Sequence, residues 1–296
     1  MVIYTKRMSS TKKALLIGIN YTSIPEIKLN GCIDDVVNVR NVLIDAYDYS
    51  SANITMLRDD FTDPAFTPTR DNILQCLTTL AQQSSSLDEI WVHYSGHGSQ
   101  INNLNISMDG NPNPLDSILV PIDYQTSQFI LEDDLLAIIQ QIKCRAILMF
   151  DCCHSGSICE LPYSVVYKSP TSYANVKNNN VVVKNPNIFV FSGCKDNQTC
   201  ADTYNAILND PAGAFTNTFI ECLRNSRHNT SLLLLYRDIC VSLANSGFTQ
   251  TPVLSLSRSP STYVLTRASP IVPLDSKPSV RTTLKSTLGN IIAGKR

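Results

Sequence analysis

The 296 residues carry 24 basic and 25 acidic side chains, and a net charge of −1 leaves no global field to gather nucleic acid. At 43% hydrophobic and 17% charged, the composition suits a globular protein with one large domain or two modest ones. The longest apolar stretches, at 14–19 and 146–150, are strand-length and far below the roughly 20 residues that span a bilayer.

In chain order, residues 1–11 form an N-terminal segment, and 1–10 lack the apolar core of a signal peptide. Residues 13–19 read as a buried strand. Residues 31–47 read as a helix with Val36, Val39 and Leu43 on one face. A second strand follows at 53–58. Thr69 is placed to cap a helix reaching about residue 83, with Asp71 in its first turn. Residues 89–94 form a third strand that ends in Ser95-Gly96-His97-Gly98, and the polar stretch 99–114 reads as a loop. After a short strand at 117–120 and a helix at 131–142, the strand 145–150 runs into Asp151-Cys152-Cys153-His154-Ser155-Gly156. Residues 157–186, rich in Pro, Ser and Asn, read as a long loop, a feature that is usually functional or disordered. A strand at 187–192, helices at 213–226 and 231–246 and a strand at 253–256 complete a domain over 12–265. Residues 266–296 make a polar, basic tail that reads as mobile from Ser269 onward. The alternation predicts an α/β fold whose mainly parallel sheet is flanked by helices on both faces.

Ten cysteines are scattered along the chain, and Cys76, Cys144, Cys222 and Cys240 sit in apolar segments. They read as buried free thiols of a protein in a reducing, cytoplasmic compartment with no membrane partner. Such a compartment also preserves a reactive thiol.

In open parallel sheets, ligands bind beyond the carboxyl ends of the strands. Two strands here end in reactive residues. If they are neighbours, His97 and Cys153 face each other across a crevice. A thiol needs a base or a lowered pKa to attack a carbonyl, and His is suited to take and return that proton. Gly98 permits close backbone approach. Its N–H and that of Cys153 are candidates for an oxyanion hole, worth about 3–4 kcal/mol per donor. A zinc site built from His93, His97, Cys152, Cys153 and His154 is the alternative. Against it, adjacent cysteines on extended backbone point to opposite faces, and Tyr94 stands where a helical zinc-hydrolase motif needs Glu.

The segments 94–100 (YSGHGSQ) and 151–156 (DCCHSG) resemble the metacaspases, relatives of caspases among the caspase-fold cysteine peptidases. Supporting stretches are 31–36 and 68–73, which resemble the openings of that family's first two helices, together with 120–124 and 191–199. The resemblance covers about residues 12–256. It implies a caspase-like fold with a large-subunit-like part (12–160), a long loop (161–186) and a small-subunit-like part (187–265), in a compact form without a prodomain that works as a monomer. It also implies that Cys153 is the nucleophile and His97 the general acid/base.

By the same resemblance, Asp35, Asp151 and Ser95 line the S1 pocket, which predicts peptide and protein substrates cut after Arg or Lys. The absence of Arg near Cys153 argues against cleavage after Asp. Asp116, Glu132, Asp133 and Glu160 match a calcium-binding acidic cluster, which makes Ca2+ the expected cofactor, although relatives carry Asp where this chain has Glu132 and Glu160. Lys168, Lys177 and Lys184 are candidate self-cleavage sites in the long loop. The rival reading is a non-catalytic caspase-fold binding scaffold.

Overall fold

The computed structural model describes residues 11–102, 115–153, 155–156, 158–194, 213–259 and 261–268. The first ten residues, the middle of the expected 99–114 loop, His154, residues 195–199 of the last family motif and the tail from Ser269 lie outside them.

The chain opens with β1 (Lys12–Gly18), α1 (Cys32–Tyr47), β2 (Ile54–Arg58), α2 (Arg70–Gln83) and β3 (Glu89–Ser95). Then come β4 (Gly98–Asn102), β5 (Leu115–Leu119), α3 (Tyr124–Ser127), β6 (Ile130–Leu131), α4 (Glu132–Ile139) and β7 (Arg145–Asp151). The second half contains β8 (Tyr163–Ser169), β9 (Ser172–Lys177), β10 (Ile188–Ser192), α5 (Ala214–Asn225), β11 (Thr230–Ser231), α6 (Leu232–Asn245), β12 (Val253–Leu256) and β13 (Val264–Leu265).

Eight strands form one sheet in the order β2-β1-β3-β7-β10-β12-β8-β9. The first five run parallel, and β12, β8 and β9 are added antiparallel. Helices cover both faces, so β3 is buried along its whole length. Ile90, Val92 and Tyr94 of β3 join one core with α2 and α4, while Trp91 joins the other with α1, α5 and α6. Period-2 alternation between two cores explains why this strand has no solvent-facing side. Helix α2 starts as its sequence predicts, with Thr69 Oγ1 accepting from the Asn72 N–H at 3.3 Å.

Two expectations are corrected. Residues 161–186 are not a continuous loop, because β8 and β9 form a hairpin that extends the main sheet. Val165 is buried opposite Leu254, and the strand pairing comes from β12, about ninety residues downstream, so local composition conceals it. The expected loop at 99–114 begins instead with β4, which pairs with β5 in a separate three-stranded sheet.

At the amino end of β3, Glu89 is 3% exposed and holds four neighbours together. The Tyr49 and Tyr263 hydroxyls each donate to it at 2.9 Å, Arg145 donates at 3.2 Å, and Lys12 Nζ stands 3.6 Å away. Removing one member of such a cluster strands the others without partners. Glu89→Ala is therefore expected to destabilise the fold by about 3–5 kcal/mol. Urea unfolding measures this, and a loss within experimental error of zero would contradict it.

Candidate active site

The β3–β7 pairing sets Ser95 directly beside Asp151, and the next N–H, that of Gly96, donates to the Asp151 carbonyl at 3.3 Å. Both reactive segments therefore leave the sheet at the same end, in adjacent strands.

His97 is fixed from several sides. Its carbonyl accepts from the Tyr94 hydroxyl at 2.8 Å and from the Val120 N–H at 3.2 Å. Its N–H donates to the Tyr21 hydroxyl at 3.0 Å, and the Tyr21 ring lies 4.8 Å from the imidazole. Ring Nε2 is 2.7 Å from the Ile27 carbonyl, which can only accept, so Nε2 carries the hydrogen. That leaves Nδ1 with a lone pair able to take a proton.

Gly98 is required by close approach. A Cβ there would collide with the Cys153 carbonyl and stand 3.0 Å from Cys152 Sγ. The His97 turn thus packs directly on the backbone of Cys153. Cys153 is half-buried, whereas Cys152 is buried and its thiol is pushed well up by that burial. Of the adjacent pair, only Cys153 combines accessibility with a place at the His97 turn. The loop is pinned from β10's end: the Cys194 N–H donates to Ser155 Oγ at 3.4 Å, and its Sγ lies 3.4 Å from the Cys152 carbonyl.

The three residues expected to line the substrate pocket are brought together. Asp35, 2% exposed in the first turn of α1, accepts from Ser95 Oγ at 2.8 Å. Asp151 accepts from the Thr216 N–H at 3.0 Å and its hydroxyl at 2.7 Å. Burial raises the Asp151 carboxyl, and the two Thr216 bonds pull it back. Sequence reasoning missed three contributors. Cys32, three residues before Asp35 on the same helix face, has its thiol raised by burial, lowered by Ser95, and raised by Asp35 and Asp151, so it sits among all three. Thr216 anchors Asp151. Gly213, at φ +90°, packs against the Asp35 carboxylate where any Cβ would collide. The helical spacing from Cys32 to Asp35 was a usable signal, while Thr216 and Gly213 carried none.

His93, a ligand in the zinc alternative, is fully buried with Nδ1 3.3 Å from the Met149 carbonyl. Desolvation lowers it to about 3, so it stays neutral inside the sheet.

The four expected calcium ligands lie on β5 (Asp116), the start of α4 (Glu132, Asp133) and the segment after the nucleophile (Glu160). Glu132 accepts from the Ser117 N–H at 3.0 Å, and Glu160 accepts from Asn178 Nδ2 at 2.6 Å. Burial raises the Glu132 carboxyl from 4.5 to about 8; the Ser117 bond lowers it, and Asp116, Glu160 and Asp133 raise it further. The four acids share one field. Among the described residues, however, no three metal-ligating side chains stand close enough together to hold an ion.

Two measurements follow from this geometry. Folded Glu132 keeps its proton where the unfolded chain has lost it. Its contribution to stability therefore falls as pH rises from 4.5 to about 8. Glu132→Gln is expected to flatten that part of a melting-temperature profile, and an unchanged slope would contradict the shift. Among the described thiols, Cys153 is expected to react with iodoacetamide at least about tenfold faster than Cys152 or half-buried Cys76, whose thiol burial also raises. Peptide mass mapping reads this directly, and first labelling at Cys152 would reverse the assignment.

The metacaspase, peptidase C14 domain model matches residues 12–162. A Metacaspase-1 of Kluyveromyces lactis is 33% identical over 83% of this chain and 66% of its own length. A Metacaspase-1 of Pyricularia oryzae is 33% identical over 83% of this chain and 72% of its own. The chain thus spans about two thirds of the length of these relatives. The crystal structure of caspase-1 from Spodoptera frugiperda superposes with a TM-score of 0.52 over 84% of this chain and 87% of its own, and at 12% identity it shows the shared fold. Among the described residues no helix is long and apolar enough to cross a membrane. The matched domain, the similarity over about two thirds of these relatives and the shared fold agree: this chain belongs to the metacaspase family of caspase-fold cysteine peptidases.

Proposed function

We propose that this chain is an endopeptidase that cuts peptide bonds after Arg or Lys, with Cys153 as nucleophile and His97 as general acid and base. The observation that supports the specificity is that Asp35, Ser95 and Asp151 stand together at the carboxyl end of the strand that leads to Cys153. Two carboxylates there favour a cationic side chain on the acyl side of the cut bond.

In this mechanism Nδ1 of His97 takes the proton from Cys153 Sγ, and the thiolate attacks the scissile carbonyl carbon. The N–H groups of Cys153 and Gly98 stabilise the oxyanion. His97 then gives its proton to the leaving amine as the C–N bond breaks, leaving a thioester. Water attacks the thioester while His97 accepts its proton. The C–S bond breaks, the acid product departs and the thiolate is reprotonated. The rigid seating of His97 between Tyr21, Tyr94 and the Ile27 carbonyl holds the imidazole for both transfers.

Calcium is the cofactor we assign to Asp116, Glu132, Asp133 and Glu160. These are hard oxygen donors; burial is the main reason the Glu132 carboxyl is raised, and the neighbouring acids Asp116, Glu160 and Asp133 add to it, a repulsion that a divalent cation would relieve. Bringing them into one coordination sphere requires these side chains to draw closer than they stand, and one Glu160 oxygen now accepts from Asn178. Bound calcium would supply positive charge beside the segment that follows Cys153. For self-cleavage we favour Lys184. Lys168 and Lys177 are held in the β8–β9 hairpin, while Lys184 is exposed between β9 and β10.

Fluorogenic peptides ending in Arg, Lys and Asp test these assignments together. The wild type is expected to cleave the first two, Cys153→Ala neither, and Asp35→Asn about 100-fold less well by kcat/KM. No cleavage of any substrate, with or without calcium, would favour the scaffold reading. Cleavage only after Asp would overturn the acidic pocket, and full activity in chelator would remove calcium.

A further inference from the structure

The opposite end of the sheet carries a second concentration of charge. Parallel pairing aligns Lys12 with Glu89 and Glu89 with Arg145. Ile188 pairs with Ala146, and Phe189 pairs with Leu256. Extending that register by one and two residues places Asn187 beside Arg145, and Arg258 on the far side of Asn187. Backbone bonds hold this end together: the Ala146 N–H donates to the Asn187 carbonyl at 3.0 Å and the Ser257 N–H to the Ile188 carbonyl at 3.0 Å. Paired residues share a sheet face, and strands lie about 4.8 Å apart. Arg145, Asn187 and Arg258 therefore form a row on one face, with the two arginine Cα atoms about 10 Å apart.

This row borders a cavity of about 560 Å³, within the range of small-molecule sites. Phe189 and Tyr263, stacked with centroids 5.3 Å apart, form one wall, and the Arg145 guanidinium lies 4.2 Å from the Tyr263 ring centre. Ser259, Ser261 and Thr262 add hydroxyls, and no acidic side chain among the described residues lines the cavity. The charges do not balance. Glu89 is shared between Lys12 and Arg145. Arg145 Nε remains buried with no partner, and Arg258 has no hydrogen bond or ion pair among the described residues. The Arg258 fork, the part-exposed remainder of the Arg145 guanidinium, one amide and three hydroxyls thus line a polar cavity with cationic charge to spare. Guanidinium forks match phosphate oxygens in geometry and charge.

We propose that this cavity binds a small phosphate-bearing anion of about diphosphate size, clamped between Arg145 and Arg258. Arg145 and Asp151 are the first and last residues of β7, so the site lies about 20 Å from the substrate pocket and stands independently of the peptidase assignment.

The test is isothermal titration of the full chain carrying Cys153→Ala, to prevent self-cleavage, at fixed ionic strength. Inorganic pyrophosphate is expected to bind saturably at one site, with Kd raised at least about tenfold by Arg258→Ala and less by Arg258→Lys. Because Arg258 is exposed and unpaired among the described residues, the circular dichroism of these variants should match the parent; Arg258→Gln substitutes should the alanine variant misfold. Tighter binding of ADP than of pyrophosphate would identify an organic phosphate as the ligand, and the reverse order an inorganic one. Absence of saturable binding, or equal affinity in the Arg258 variants, would overturn the proposal.

Discussion

The parallel pairing of β3 with β7 is the constraint on which the site depends. It sets Ser95 beside Asp151, so the two strands release their chains at one edge of the sheet. Everything reactive follows within two residues of that pair: His97 on one side, Cys153 on the other. A register slip of one residue would turn Ser95 and Asp151 away from α1 and α5 toward the opposite core. The buried, double-sided character of β3 makes such a slip costly, because Trp91 and Val92 would exchange between two differently shaped cores. Core packing thus fixes how the His97 and Cys153 segments meet, and Gly98 completes it by letting the His97 turn rest on the Cys153 backbone.

This pairing also explains what was legible in sequence. Strands buried on both faces read as near-continuous apolar runs, and helices between them read by their period, so β1, β3, β7, α1 and α2 stand out. The reactive residues stand out too, because they follow such runs and are flanked by glycine. The β8–β9 hairpin was hidden. It closes the edge of the sheet and buries only Val165 of its strand residues, its composition is polar, and its pairing partner β12 is remote in sequence. Thr216 and Gly213 were hidden for a related reason. Each acquires its role only when α5 packs across the sheet to meet Asp151 and Asp35, and no local pattern encodes that docking.

The acids of the molecule are managed in three different ways. Glu89 is buried beside two basic side chains and two phenols, and there its charge knits the sheet to the segment around Tyr263. Asp35 and Asp151 are held by hydroxyl and amide donors, from Ser95 and Thr216, which support negative charge without neutralising it. Glu132 is buried with one backbone donor and three acidic neighbours, and chiefly because of that burial it holds its proton. The first arrangement is structural. The second and third gather acidic oxygens at the carboxyl end of the sheet, the kind of ligand a cationic side chain or a metal ion takes.

The strands that carry the acidic group Asp35, Ser95 and Asp151 near one end carry basic side chains at the other. Along β7 the chain passes from Arg145, in a cluster where two basic side chains share Glu89, to Asp151, which stands with Ser95 and Asp35. Between them lie only Ala146, Ile147, Leu148, Met149 and Phe150, all fully or nearly fully buried. An apolar strand interior cannot accommodate either charge, so both are forced to the ends, where the loops decide their use. At the carboxyl end the loops bring a thiol and an imidazole. At the amino end they bring a second arginine and three hydroxyls around a cavity. The same physical rule, that a strand buried on both faces exports its charge to its termini, therefore accounts for where His97 and Cys153 stand and for where Arg145 and Arg258 gather.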